Sequence, residues 1–550
     1  MVSKKDMSRM CLAPYLFRRL SDLGAGHAFG IPGDIALPLF DALGESPIRL
    51  ILTTHEPSAG FAADAYARLK GIGLAVVTYG AGALNMVNAI SQAYAEKSPV
   101  VVVSGASNMS ARQPGLLTHH KVKTFDTQRR IYEEVTVAHA VLDDPVNAPR
   151  EITRVLEAVM NEKRPGYFEI PRDRVWMELH EFAVPTHMPP EVSPMTLAEA
   201  LQDITTRLSR SMRPVILAGV EIMRLGLREQ LISLTEQYNF PVATSFMGKA
   251  VFPEHHANFI GTYMGAAGDP YARRMIEDSD CLLLLGAWMT DTETGLFTGV
   301  IPGEAVIQVL AREVLISHHR YEGVGLAEVL PALLDHTQIS QREFRNEFVR
   351  EGVSVETGSL IKGVITTLSD LNDSEYIFIT DSGDCLFGSV DLNAELILNP
   401  GYYASMGFSV PAALGAGLAL PARRPIVLVG DGGFQMTGME LATLVRYKLN
   451  AIVIVLNNGG YRSLEALGAN EQFCQIHPWD YVKVAQAVGA VGTKVRILDE
   501  FRTALQTACD RKDVSLIEVI LPPDDISPPL QRLRESIHST RLAAQKSLDS

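Results

Sequence analysis

The sequence predicts an α/β protein made of three doubly wound parallel-sheet domains. Short, continuous apolar runs alternate with helical patterns, which implies parallel strands covered on both faces. One strand, glycine-turn, helix, strand unit occurs twice, about 350 residues apart. The 550 residues suffice for roughly three domains, each large enough for its own core.

In chain order, the basic cluster Met1 to Arg9 has no signal-peptide core after it, and an amphipathic first helix leads to the loop Phe29-Gly30-Ile31-Pro32-Gly33-Asp34. Thr53-Thr54-His55-Glu56-Pro57 precedes a small-residue helix from Ala59 to Leu69. The first copy of the repeated unit runs through the strand Leu74 to Thr78, the turn Gly80-Ala81-Gly82, the helix Leu84 to Glu96 and the strand Pro99 to Ser104. Leu116-Leu117-Thr118-His119-His120 lies beyond it. The proline-rich stretch Pro185 to Pro194 reads as a linker closing a first domain over 1–185. Arg213 to Gly219 and Asp280 to Gly286 read as strands of a middle domain over 195–345, and Gln341 to Ser359 as a second linker. The last domain, 360–550, carries the second copy: the strand Pro425 to Val429, Gly430-Asp431-Gly432-Gly433, a helix over Gly438 to Lys448, the strand Ala451 to Leu456 and then Asn457-Asn458-Gly459-Gly460.

A hydrophobic content of 47% with 20% charged residues fits a water-soluble globular enzyme, and a formal charge of -14 argues against nucleic-acid or acidic-membrane partners. No apolar run is long enough for a membrane span, so a cytoplasmic protein is expected. Cys11, Cys281, Cys385, Cys474 and Cys509 form no Cys-x-x-Cys pair and read as reduced structural thiols.

The second repeated unit carries the chemistry. Asp431 and Asn458 fall at the carboxyl ends of adjacent parallel strands, where ligands gather in such sheets. The Asp431 carboxylate, the Asn458 side-chain oxygen and a backbone carbonyl at Gly460 supply hard oxygen ligands for Mg²⁺, with diphosphate and water completing an octahedron. The glycines let the backbone approach phosphates, and a helix amino terminus favours their charge.

This pattern resembles the cofactor motif of thiamine diphosphate enzymes. Glu56 matches the family's glutamate, which shares a proton with the cofactor's aminopyrimidine; a carboxyl in an apolar pocket has the raised pKa that suits this work. Asp34 and the pair His119, His120 match the aspartate and paired histidines of 2-oxo acid decarboxylases, and are expected to relay protons and steer the substrate carboxylate. His255-His256 and His318-His319 are expected to be surface-loop residues. Over residues 10 to 525 the chain is similar to bacterial phenylpyruvate and indolepyruvate decarboxylases, with a pyrimidine-binding first domain and a diphosphate-binding last one. The resemblance adds Thr78, Asp384, Gly430, Gly432, Gly433 and Tyr461 to the cofactor site, and Met406 as the bulky residue beneath the bent cofactor. It implies non-oxidative decarboxylation of a 2-oxo acid through an ylid and an enamine, with aldehyde release.

One position departs from pyruvate decarboxylases, which carry a glutamate where this chain has Leu464. Glu465 is adjacent, yet one helical step turns it by about 100°. With Leu386 and Phe387, Leu464 is expected to line a pocket for an aromatic substrate. The resemblance further implies a homo-oligomer whose sites lie between chains, with Glu56 of one chain serving another; a dimer of dimers is expected, and no FAD. Alternatives are a carboligase giving an acyloin or acetohydroxy acid, a decarboxylase of aliphatic or benzoyl 2-oxo acids, and a scaffold that keeps the fold without turnover.

Overall fold

The computed structural model describes residues 10–113, 115–179, 192–301, 303–336, 339–347, 358–371 and 373–548. The basic cluster Met1 to Arg9 and most of both expected linkers lie outside them. Within the described parts of the linkers, Ser193 and Ser359 each cap a helix, accepting the N–H of Thr196 and Lys362.

Three sheets form, each largely parallel. The first runs in the order Arg49–Leu52, His27–Ile31, Gly73–Val77, Val100–Ala106, Gly166–Pro171, Ala138–Val141. The last sheet runs Ile397–Leu398, Tyr376–Thr380, Arg424–Gly430, Ile452–Asn457, Ser515–Ile520, Val491–Val495. Counted within its own domain, each has the order 2-1-3-4-6-5, so the repeated unit reflects a repeated architecture. The middle sheet differs: five parallel strands between Pro214 and Val309 end in an antiparallel hairpin, Glu313–Ile316 with His319–Glu322. His319 therefore opens an exposed edge strand rather than lying in a loop, while His256 does lie in a loop, its ring against Phe252. All five cysteines are unpaired.

The outer domains share one core. The helix Glu56–Lys70 packs on Ser409–Ala419, and Ala59, Ala62 and Ala63 lie in one apolar cluster with Phe408, Ala412 and Ala416. Small residues permit that approach, because a methyl on Gly415 would sit 2.0 Å from the Ala62 carbonyl. A buried ion cluster seals the rim: Arg68 pairs with Asp64 at 2.7 Å and Glu96 at 2.9 Å, and Glu96 accepts the N–H groups of Tyr402 and Tyr403.

The middle domain contributes a fully buried carboxyl, Glu293, which accepts the N–H groups of Phe246 and Met247 and the Ser245 hydroxyl. Burial pushes its pKa up from 4.5 to about 7. A raised carboxyl stabilises the fold below its unfolded pKa, and that contribution is lost as pH rises through the folded value. The middle domain should therefore lose thermal stability between pH 5 and 8, and Glu293→Gln, which cannot ionise, should flatten that fall in a melting series.

Candidate active site

At the carboxyl ends of His27–Ile31 and Gly73–Val77 the first domain gathers Asp34, Glu56, Thr78, His119 and His120. Two approaches require glycine: a methyl on Gly33 would lie 2.6 Å from the Thr78 side chain, and one on Gly80 would lie 2.3 Å from the His120 carbonyl. Asp34, His119 and His120 present ligand atoms within 4.8 Å of one another, a set that could also hold a transition-metal ion. His119 Nε2 donates to Asp34 Oδ2 at 2.7 Å, and the two imidazoles stand edge to face. Desolvation, which raises the Asp34 carboxyl, is outweighed by the His119 hydrogen bond, the Ile35 N–H and the imidazole charges together, so its pKa falls below the ordinary carboxylate value. His120 has φ 65°, and its Nδ1 donates to the Tyr79 carbonyl at 2.9 Å. A carbonyl only accepts, so Nδ1 carries the proton and Nε2 is left as the free face of the ring.

Glu56 is the first residue of its helix. Its Oε2 accepts from Asn85 Nδ2 at 2.8 Å. Sequence reasoning missed Asn85; the signal was an amide one turn into the helix that follows the Gly80 turn. The expected apolar pocket is not found around Glu56 in the single chain, where this residue is half-buried. Thr78 Oγ1 is buried without a hydrogen-bond partner among the described residues.

In the last domain, helix begins directly at Asp431 with Gly430 as its cap. The helix expected over Gly438 to Lys448 is instead split: Asp431–Thr437, a 3-10 turn at Gly438–Glu440, then Leu441–Arg446. The Phe434 ring fills the space beside Gly438, and Glu440 is drawn off to bind Thr443 and Thr54.

Asp431 is 2% exposed, and its oxygens accept the N–H groups of Gly432 and Gly459, each at 2.8 Å. Burial pushes its pKa up from 3.8 to about 6. The Asn458 carboxamide has no hydrogen-bond partner among the described residues, whereas Asn457 is structural, donating to Glu518 at 2.8 Å. The Gly460 carbonyl accepts the Arg462 N–H at 2.9 Å and keeps its second lone pair. A Gly460 methyl would strike the Cys474 carbonyl at 2.0 Å, a Gly432 methyl would strike the Tyr461 ring at 2.3 Å, and the place of a Gly430 side chain is open.

A buried carboxylate without a pairing cation, a free amide oxygen beside it and open space at Gly430 suit a divalent cation and a diphosphate. The free Thr78 hydroxyl suits a polar ring edge on the first domain. The residues present thus fit thiamine diphosphate with Mg²⁺.

Asp381, not singled out from sequence, organises the adjoining loop. Completely buried, it accepts the N–H groups of Ser382, Gly407 and Ser409 and the Ser409 hydroxyl. That loop presents Met406, 41% exposed, between two left-handed residues, Ala404 and Gly407. Asp384 turns the other way: both its oxygens are taken by Ser527, and burial pushes its pKa up to about 6. Leu386 is packed with Phe246, Met264, Val390 and Leu533, with Phe387 and Leu467 against this cluster. Leu464, on the short helix Arg462–Ala466, is 52% exposed. Glu465 is held by Arg462 at 2.5 Å, so it does not stand in for a carboxylate at Leu464.

Residues 10–129 match the N-terminal TPP-binding domain of thiamine pyrophosphate enzymes, 201–335 the central domain and 389–519 the C-terminal TPP-binding domain. The chain is 39% identical to an indole-3-pyruvate decarboxylase of Azospirillum brasilense over 95% of this chain and 97% of that relative. It is 32% identical to an alpha-keto-acid decarboxylase of Mycolicibacterium paratuberculosis over 92% and 93% of the two chains. A third relative, pyruvate decarboxylase 4 of Arabidopsis thaliana, is 30% identical over 95% and 91%. No helix among the described residues is long and apolar enough to cross a membrane.

Proposed function

Because the chain belongs to the thiamine diphosphate-dependent 2-oxo acid decarboxylases, we propose that its substrate is aromatic, phenylpyruvate or indole-3-pyruvate, and that it releases the corresponding aldehyde and CO₂. Thiamine diphosphate, when bound, supplies the carbon nucleophile and the electron sink. Asp431, Asn458 and the Gly460 carbonyl would hold Mg²⁺, and Gly430, Gly432, Gly433 and Tyr461 would line the diphosphate space. Glu56 would supply the carboxyl that shares a proton with the aminopyrimidine, and the free Thr78 hydroxyl and the exposed Met406 would help to hold the cofactor. Asp34, His119 and His120 move protons as the product forms.

The observation that carries the aromatic assignment is Leu464, a half-exposed leucine whose acidic neighbour is locked onto Arg462. Phe387, only partly buried, remains available as apolar surface, whereas Leu386 is taken up by its core cluster; the name of the Azospirillum relative points the same way. Apolar lining favours a phenyl or indolyl group by a few kcal/mol over the methyl of pyruvate, on the order of a hundredfold in kcat/KM. Competition kinetics with pyruvate, 2-oxoisocaproate, benzoylformate and phenylpyruvate test this; a clear preference for pyruvate would refute it.

Exposed apolar residues occur near both half-sites along the chain: Leu116 and Leu117 precede the histidines, Met436 and Met439 follow Asp431, and Phe473 precedes Cys474, whose carbonyl abuts Gly460. Among the described residues no hydrogen bond or ion pair joins the Glu56 group to the Asp431 group within one chain. Both facts support sites between chains, in a dimer at least; a dimer of dimers in the cytoplasm is the fuller proposal that the family resemblance implies. Apolar patches of this kind mark interfaces.

A further inference from the structure

Gln128 stands apart from the residues placed in the reaction above. It is 1% exposed, on the helix Thr127–Val135. Its Oε1 accepts the Gly80 N–H at 2.6 Å, which fixes the orientation of the amide, since a backbone N–H only donates. Its Nε2 donates to the Tyr167 hydroxyl at 2.6 Å and to Ser104 Oγ at 3.0 Å. Tyr167 in turn donates to Glu169, which Arg112 holds at 2.9 Å. Gly80, Ser104, Tyr167, Glu169 and Arg112 all belong to the first domain.

The Gly80 N–H and the Tyr79 carbonyl belong to the same peptide unit. Gln128 grips its nitrogen end, and His120 Nδ1 donates to its oxygen end. Hydrogen bonds polarise one another across a shared peptide, so an acceptor on the N–H makes the carbonyl a better acceptor for His120. We infer that Gln128 is a positioning residue for His120, acting through the Tyr79–Gly80 peptide to keep the proton on Nδ1 and Nε2 facing the substrate. The inference rests on the reading of His120 as a proton-transfer group.

The test separates this role from support of the whole turn, because the same turn begins the helix that carries Asn85 and so Glu56. Gln128→Met keeps volume and removes the acceptor; Gln128→Glu, buried beside Glu169, keeps its proton and hence both an acceptor and a donor. On holoenzyme, Gln128→Met should lower kcat for aldehyde release about tenfold, the value of one buried hydrogen bond. Deuterium exchange at the thiazolium carbon and the Kd for thiamine diphosphate should stay at parent levels, and Gln128→Glu should recover kcat to within about threefold. Should the methionine variant not fold, Tyr167→Phe, which frees the nitrogen end of the amide, should give a smaller fall in kcat with exchange again unchanged. Equal loss of exchange and turnover, or no rescue by glutamate, would overturn the inference. A full His120→Ala defect beside an unaffected Gln128→Met would overturn it alone; undiminished turnover in His120→Ala would overturn the reading beneath it as well.

Discussion

Asp431→Ala should abolish thiamine diphosphate binding, raising the Kd measured by calorimetry by more than about a hundredfold, or about 3 kcal/mol. Asp431 is the only charged ligand among the three assigned to the metal. Its carboxylate lies almost wholly buried with two backbone N–H partners and, among the described residues, no paired cation, so a divalent ion would offset both it and the diphosphate. Removing the cation should act like removing the carboxylate, and a strong chelator should inactivate the parent enzyme. Tight cofactor binding by Asp431→Ala in the presence of that chelator would sink the assignment. Asp431→Asn keeps an oxygen without the charge, and its affinity should fall between the two.

Glu56→Gln should leave cofactor bound yet slow deuterium exchange at the thiazolium carbon by about a hundredfold or more, the scale of a lost general acid–base. The carboxyl stands at the start of its helix, tied on one oxygen by Asn85, with the other oxygen toward Gly82 and Thr78. An amide there has no proton to share. Asp34→Asn and His120→Ala should do the reverse, leaving exchange near normal and suppressing aldehyde release, because those residues lie in a separate hydrogen-bonded group. Equal loss of exchange in all three variants would show that the roles are not divided in this way.

The last domain shows how far local pattern reaches. Pro425 to Val429 and Ala451 to Leu456 read as strands because each is a short apolar run bounded by turn residues, and both lie in neighbouring parallel strands. The helix expected from Gly438 keeps its helical residues but starts earlier and is broken, since the start depends on Gly430 capping at Asp431 and the break on the Phe434 ring filling the place of a Gly438 side chain. Neither contact has a periodicity. In Asp381-Ser382-Gly383-Asp384 two carboxylates look alike in sequence. Packing alone sends Asp381 to the Gly407 loop and Asp384 to Ser527, more than a hundred residues away.

By itself the sequence determined the α/β class, the repeated unit and the chemistry available at Asp431, Asn458, Glu56 and the paired histidines, because those follow from residue type, spacing and strand context. Only the tertiary structure decided that Asp34 meets His119, that Asn85 holds Glu56 and that Gln128 reaches the peptide bound by His120. These contacts join residues 29 to 85 positions apart in the chain. Their geometry is set by how the helices seat on a common sheet, which no local run of residues encodes.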